Sequence, residues 1–123
     1  MTRIVYPFAL CFAIVASFAS CKHDIQDPDV FTPPCELQNI TFSGTVAPII
    51  DTECAGCHDA DNPSAGLSLV TYEQIAAIAN DGSLLSSLRG TDGFSLMPDG
   101  GPALNSCAID QIEAWINNGA PND

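Results

Sequence analysis

The chain has 123 residues, with fifteen acidic side chains against three Lys or Arg and a formal net charge of −12. That length suits one domain. A surface this acidic lacks the basic patches that nucleic acid requires, so nucleic acid is excluded as a partner, and anionic lipid headgroups would repel it. Its field favours basic partners, more strongly at low salt.

Residues 1–20 read as a secretory signal peptide. Arg3 is their only charge, and the apolar run after it carries Pro7 and ends in small residues. A membrane-spanning helix needs about 20 apolar residues, more than this run offers. Phe18-Ala19-Ser20-Cys21 has the form of a bacterial lipobox, two small residues directly before a cysteine. On that reading Cys21 is lipidated, and each buried CH₂ of its acyl chains contributes about 0.8 kcal/mol to membrane binding. Ordinary cleavage nearby would instead leave Cys21 a free thiol. The expected location is the cell envelope, anchored to a membrane and facing the periplasm. Lys22 stands where lipoprotein sorting would place an inner-membrane aspartate, which points to the outer membrane. Residues 21–34 hold acids and prolines with no apolar period, and read as the lipidated cysteine and a flexible acidic tether. Extended, the tether reaches on the order of 40 Å at about 3.3 Å per residue.

The folded domain is expected over residues 35–123 and is read as all-α. Thr45 is the expected cap of a first helix that has Pro48 in its first turn, turns Ile49 and Ile50 inward and runs into Cys54. Thr71-Tyr72-Glu73-Gln74 fits a capping box before an apolar-periodic segment, with Asp81-Gly82 as its stop. Ser83 is the expected cap of a short helix through Leu84, Leu85 and Leu88. Asn105 or Ser106 opens a last helix in which Ile109, Ile112 and Ile116 recur at helical spacing, and Gly119 ends it. The segments between are rich in Gly, Pro, Asp and Asn, and read as loops.

Cys54-Ala55-Gly56-Cys57-His58 has the C-x-x-C-H spacing of covalent haem attachment. On a helical turn, positions i, i+3 and i+4 share a face. Two thiols so placed can add to two vinyl groups on one porphyrin edge, while the next imidazole reaches the iron. A zinc knuckle would need further Cys or His ligands, and the mature chain offers only Cys35, Cys107 and the tether's His23. A redox-active dithiol usually sits in a strand–helix frame, and no βαβ pattern is present. Export agrees with one covalent haem c. Met97 is the sixth-ligand candidate by elimination: His23 and Lys22 lie on the tether, and Met1 leaves with the signal. Met/His ligation raises the haem potential and fills both axial positions, as electron transfer requires. The alternative is a five-coordinate iron with Met97 in the core.

The stretch from Ile40 to Ala120 resembles small class I cytochrome c domains of bacterial lipoproteins, especially of the Bacteroidetes type. The residues that carry the resemblance are Thr45-Val46-Ala47-Pro48-Ile49-Ile50, the Cys54–His58 motif, Met97-Pro98-Asp99-Gly100-Gly101-Pro102-Ala103-Leu104, and Ile112-Glu113-Ala114-Trp115-Ile116 through Pro121. It implies a cytochrome c-like fold of three or four helices around one covalently bound haem, with the first and last helices crossing.

Other residues have narrower readings. With Cys11 in the signal, Cys21 at the anchor and two cysteines on haem, Cys35 and Cys107 remain; in an oxidising compartment they are read as a disulfide pair, with two buried thiols as the alternative. Trp115 is expected to pack against haem or the first helix, with its N–H near a propionate as an alternative. Arg89 is read as a solvated surface cation, with a propionate contact as the alternative. The Pro63 carbonyl is one candidate acceptor for the His58 imidazole N–H. Asp51, Glu53, Asp59 and Asp61 form a docking rim or merely solvate the motif.

The function this predicts is a membrane-tethered electron carrier rather than an enzyme. Its partner would be a redox protein with a basic docking face or a membrane redox complex. The alternatives are an accessory subunit of a larger redox assembly and, lacking a distal His or Arg, a haem sensor or enzyme.

Overall fold

The computed structural model describes residues 34–123. The predicted signal peptide, the Cys21 anchor and the tether up to residue 33 lie outside the described residues. The described part contains four α-helices and no strand: α1 (Ala47–Glu53), α2 (Tyr72–Asn80), α3 (Ser83–Arg89) and α4 (Ser106–Asn117). Among the described residues no helix is long and apolar enough to cross a membrane.

The first helical segment starts earlier than the sequence suggests. A π-helical turn, Phe42–Val46, runs straight into α1, and its cap is Thr41 rather than Thr45. The Thr41 hydroxyl accepts the Gly44 N–H at 3.0 Å. A Cβ on Gly44 would stand 2.7 Å from that oxygen, so the cap requires glycine. Pro48 accounts for the wide turn: it has no N–H for the α-helical bond to Gly44, and its ring would crowd that carbonyl. Two further N–H groups of the turn are satisfied from far along the chain. Phe42 donates to the Asp123 carboxylate at 2.8 Å, and Ser43 donates to the Asp123 carbonyl at 2.8 Å.

The capping box on α2 is present as read: Thr71 Oγ1 accepts the Gln74 N–H, and Gln74 Oε1 accepts the Thr71 N–H. α3 departs from expectation. Gly82 occupies the cap position with φ 84°, and Ser83 is the first helical residue. The Asp81 carboxylate takes over the capping, accepting the Ser83 N–H at 2.8 Å and the Ser83 hydroxyl at 2.6 Å. Those two bonds hold its pKa below the usual aspartate range. On α4, Asn105 Oδ1 accepts the Ala108 N–H.

The core lies between α4 and the π-turn. Trp115, Ile112, Ile50 and Val46 are its largest fully buried side chains. The inward stripe of α4 is Ala108, Ile112 and Trp115, with Ile109 and Ile116 flanking it, partly buried. Phe42 meets Tyr72 edge-on at 5.1 Å and lies tilted on Trp115 at 5.7 Å. Trp115 thus packs on the first helical segment, and its indole N–H donates to the Pro121 carbonyl at 2.9 Å. That leaves no N–H for a propionate. Cys35 and Cys107 stand at disulfide distance, with Cα atoms 5.5 Å apart and 72 positions between them in sequence.

Candidate functional site

The residues 54–69 form a self-bonded frame. Cys54 caps α1 at φ −120°, where the helix stops and the chain turns. Cys57 and His58 both donate their N–H to the Cys54 carbonyl, at 3.1 and 3.0 Å. The chain then loops back on itself: the Ser64 N–H reaches the Cys57 carbonyl, and the Leu69 N–H reaches the His58 carbonyl, each at 2.8 Å. The return passes through Ala65 and Gly66, both at positive φ. It brings the Leu67 carbonyl 2.9 Å from His58 Nδ1. A carbonyl only accepts, so Nδ1 carries the proton and Nε2 is the basic, ligand-competent nitrogen. Pro63, the sequence candidate for this role, makes no such bond. Leu67 was not legible in the sequence, since the identity of the accepting carbonyl follows from how tightly the Pro63–Leu67 turn closes.

Opposite this frame, the Met97 loop follows α3. Its anchor is the Met97 N–H, which donates to the Ser87 carbonyl at 2.9 Å. Met97 is half-buried.

Between the two lies a cavity of about 480 Å³ that Cys54, Cys57, His58 and Met97 all line. That is within the size range of small-molecule and cofactor pockets. The rest of its wall is mainly apolar, from Leu67, Leu69, Ile78, Leu84, Leu88, Phe94 and Leu104, with Glu53 and Asp99 as its carboxylates. A second depression, about 490 Å³, shares only Leu69 with it and contains neither sulfur nor imidazole.

Cys54 is half-buried and Cys57 exposed, both as free thiols. Burial, and then the neighbouring Glu53 charge, pushes the Cys54 pKa up to about 11. The thiol also sits at a helix C-terminus, where the dipole opposes negative charge. Reactive C-x-x-C thiols have the reverse setting, at a helix N-terminus with a lowered pKa. Among the described residues no three of His, Cys, Asp and Glu converge as a metal cluster. The donor set is therefore two thiols, one imidazole with a free lone pair and one thioether, around an apolar slot.

The remaining candidates fall elsewhere. Arg89 forms a two-pronged pair with Glu113 at 3.3 and 2.7 Å and does not line the cavity. The four acids near the motif do not share one rim. Glu53 lines the cavity, whereas Asp51 lines the second depression. Asp59 is turned to its own loop, accepting the N–H groups of Asp61 and Asn62.

The chain is similar to hydrazine synthase subunit alpha of Kuenenia stuttgartiensis, 38% identical over 84 residues. The match takes in 63% of this chain and 10% of that subunit, so the chain corresponds to a small fraction of the relative's length. No family model matches the chain, and no solved structure matches it.

Proposed function

We propose that the protein is a monohaem c-type cytochrome that carries single electrons outside the cytoplasm, tethered to a membrane through Cys21. The observation that carries this reading is the convergence of Cys54, Cys57, His58 and Met97 on one apolar cavity of about 480 Å³. The residues present fit a haem. Cys54 and Cys57 would hold it through thioethers, and His58 and Met97 would coordinate its iron through nitrogen and sulfur. When bound, the haem would supply a one-electron couple, raised in potential by thioether ligation.

The rest of the task falls to the protein. The Leu67 carbonyl fixes the imidazole tautomer and ring orientation. The leucines and Ile78 keep water from the slot, and a low-dielectric wall favours the less charged reduced state. The elevated Cys54 pKa keeps that thiol protonated and neutral before attachment. The acidic surface steers basic redox proteins inward.

A second reading is a haem relay within a larger assembly. It is favoured by similarity to a short stretch of a much longer enzyme subunit. A sensor or enzyme would need an open iron position, and His58 and Met97, which line one cavity, would together leave none.

The test is a reduced-minus-oxidised spectrum of the purified protein with and without carbon monoxide. A carrier shows a c-type spectrum that carbon monoxide leaves unchanged. Ready carbon monoxide binding by the native protein would reject this proposal in favour of sensing or catalysis. Co-purification of a stoichiometric partner after gentle membrane extraction would favour the relay.

A further inference from the structure

We infer that the Cys35–Cys107 disulfide is a redox clasp: a protein dithiol reduces it, and residues 35–39 then leave the domain and lengthen the stretch between the fold and Cys21. What the added length does rests on the membrane-tether part of the proposed function; the release itself does not. Residues 34–39 belong to no helix, and each of them is exposed. The Gln38 N–H turns back on the Glu36 carboxylate of the same segment at 2.7 Å. Among the described residues two bonds tie this segment to the fold. One is the disulfide; in the other, the Gln111 side-chain amide donates to the Glu36 carbonyl at 3.0 Å. The packed structure begins at the next position. Ile40 is buried, Thr41 caps the π-helical turn, and Asp123 holds the Phe42 and Ser43 N–H groups. With the clasp open, one exposed hydrogen bond is set against the backbone freedom that five residues regain, and the freedom prevails.

Exposure also decides where reduction starts. Cys35 is exposed, whereas Cys107 is partly buried in the first turn of α4, so a thiolate reaches the Cys35 sulfur first. A bond forms between the two sulfurs, the Cys35–Cys107 bond breaks, and its electron pair leaves on Cys107, which takes up a proton. The reductant's second thiol then displaces Cys35. The products are two protein thiols and one oxidised dithiol, with two electrons and two protons passed to the protein. The leaving thiolate forms where the unpaired N–H groups of a 12-residue helix favour negative charge. Once freed, residues 35–39 add roughly 16 Å of reach at about 3.3 Å each.

The test treats the purified full chain with dithiothreitol, as the dithiol probe, in native buffer and in denaturant. Thiol labelling with mass spectrometry follows the Cys35–Cys107 bond, and cleavage after Glu36 by a glutamate-specific protease follows the segment. The expected result is reduction in native buffer within about tenfold of the rate in denaturant. Cleavage after Glu36 should then rise at least about fivefold while helix content by circular dichroism stays unchanged. Cys35→Ser with Cys107→Ser should be cleaved at the reduced chain's rate with or without dithiothreitol. A bond that is reduced only as the chain unfolds, unchanged cleavage after Glu36, or loss of helix on reduction would overturn the inference. Neither readout needs haem or lipid. A chain lacking both that behaves as expected breaks the proposed function and keeps the clasp; a haem-loaded, lipidated chain that does not behave so does the opposite.

Discussion

The two walls of the cavity are built in different ways. The His58 wall is local: residues 54–69 bond to one another, and the imidazole proton goes to a carbonyl nine positions away. The Met97 wall adds a distant tie to its own short-range bonds. Met97 hangs from the Ser87 carbonyl, and its loop leads through Leu104 into the start of α4, where Cys107 ties the chain back to Cys35. A locally wired wall holds its shape when the rest of the molecule loosens. A wall assembled from tertiary contacts is the side where ligation is lost first.

The largest break in this symmetry is Met97→Ala. It should open the sixth iron position, admit one carbon monoxide per haem and lower the reduction potential, since thioether ligation favours the ferrous state. Helix content by circular dichroism should be unchanged, because the His58 wall keeps its own bonds. A variant whose spectrum and potential match the native protein would make Met97 a packing residue.

Next comes the paired substitution Cys35→Ser with Cys107→Ser. Opening a loop of 72 positions should cost about 4 kcal/mol in denaturant unfolding by the chain-entropy account. The comparison predicts an asymmetric outcome below the transition: carbon monoxide reactivity rises before helix content falls. Simultaneous change in both signals would mean that the walls fail together.

Asp123→Ala should have a smaller effect, about 1 kcal/mol, as the loss of a helix cap. It removes the acceptor of the Phe42 N–H while the Ser43 bond to the backbone carbonyl stays. This cap serves the segment that leads into Cys54, so the effect should appear in hydrogen exchange of α1 before that of α3. Equal protection in both helices would show that the cap does not act locally.

The smallest effect belongs to the Arg89–Glu113 pair between α3 and α4. The Arg89 hydrogen bond, then its charge, holds the Glu113 carboxyl below its ordinary value of 4.5. A lowered folded pKa means that the contribution is complete above 4.5 and disappears as pH falls through the depressed value. Arg89→Gln should therefore lower the melting temperature slightly at neutral pH and low salt, and not at all in strong acid or high salt. A loss that persists in acid would have to come from packing of the arginine stem.

The same division explains what the sequence made legible. The Thr71–Gln74 capping box and the Asn105 cap are short-range patterns, and each has its structural counterpart. Thr45 and Ser83 looked like caps because they precede apolar runs. Pro48 widened the first helical turn back to Thr41, and Asp81 served Ser83 as cap, so the local pattern gave the wrong residue. The acceptor for His58 and the carboxylate that caps Phe42 depend on backbone closure over nine and eighty-one positions. No residue type announces such a contact. The exposed Phe94 and Leu96 resemble loop residues in sequence, and only the fold places Phe94 on the cavity wall and leaves Leu96 outside it.

The most direct test of the central claim is haem staining after denaturing electrophoresis, with the pyridine haemochrome, on protein made in cells with haem-attachment machinery. The account predicts one haem per chain, retained through denaturation in the native protein, a shifted haemochrome in Cys57→Ala, and none retained in Cys54→Ala with Cys57→Ala. A native chain that carries no stain, or a double variant that keeps it, would contradict the account.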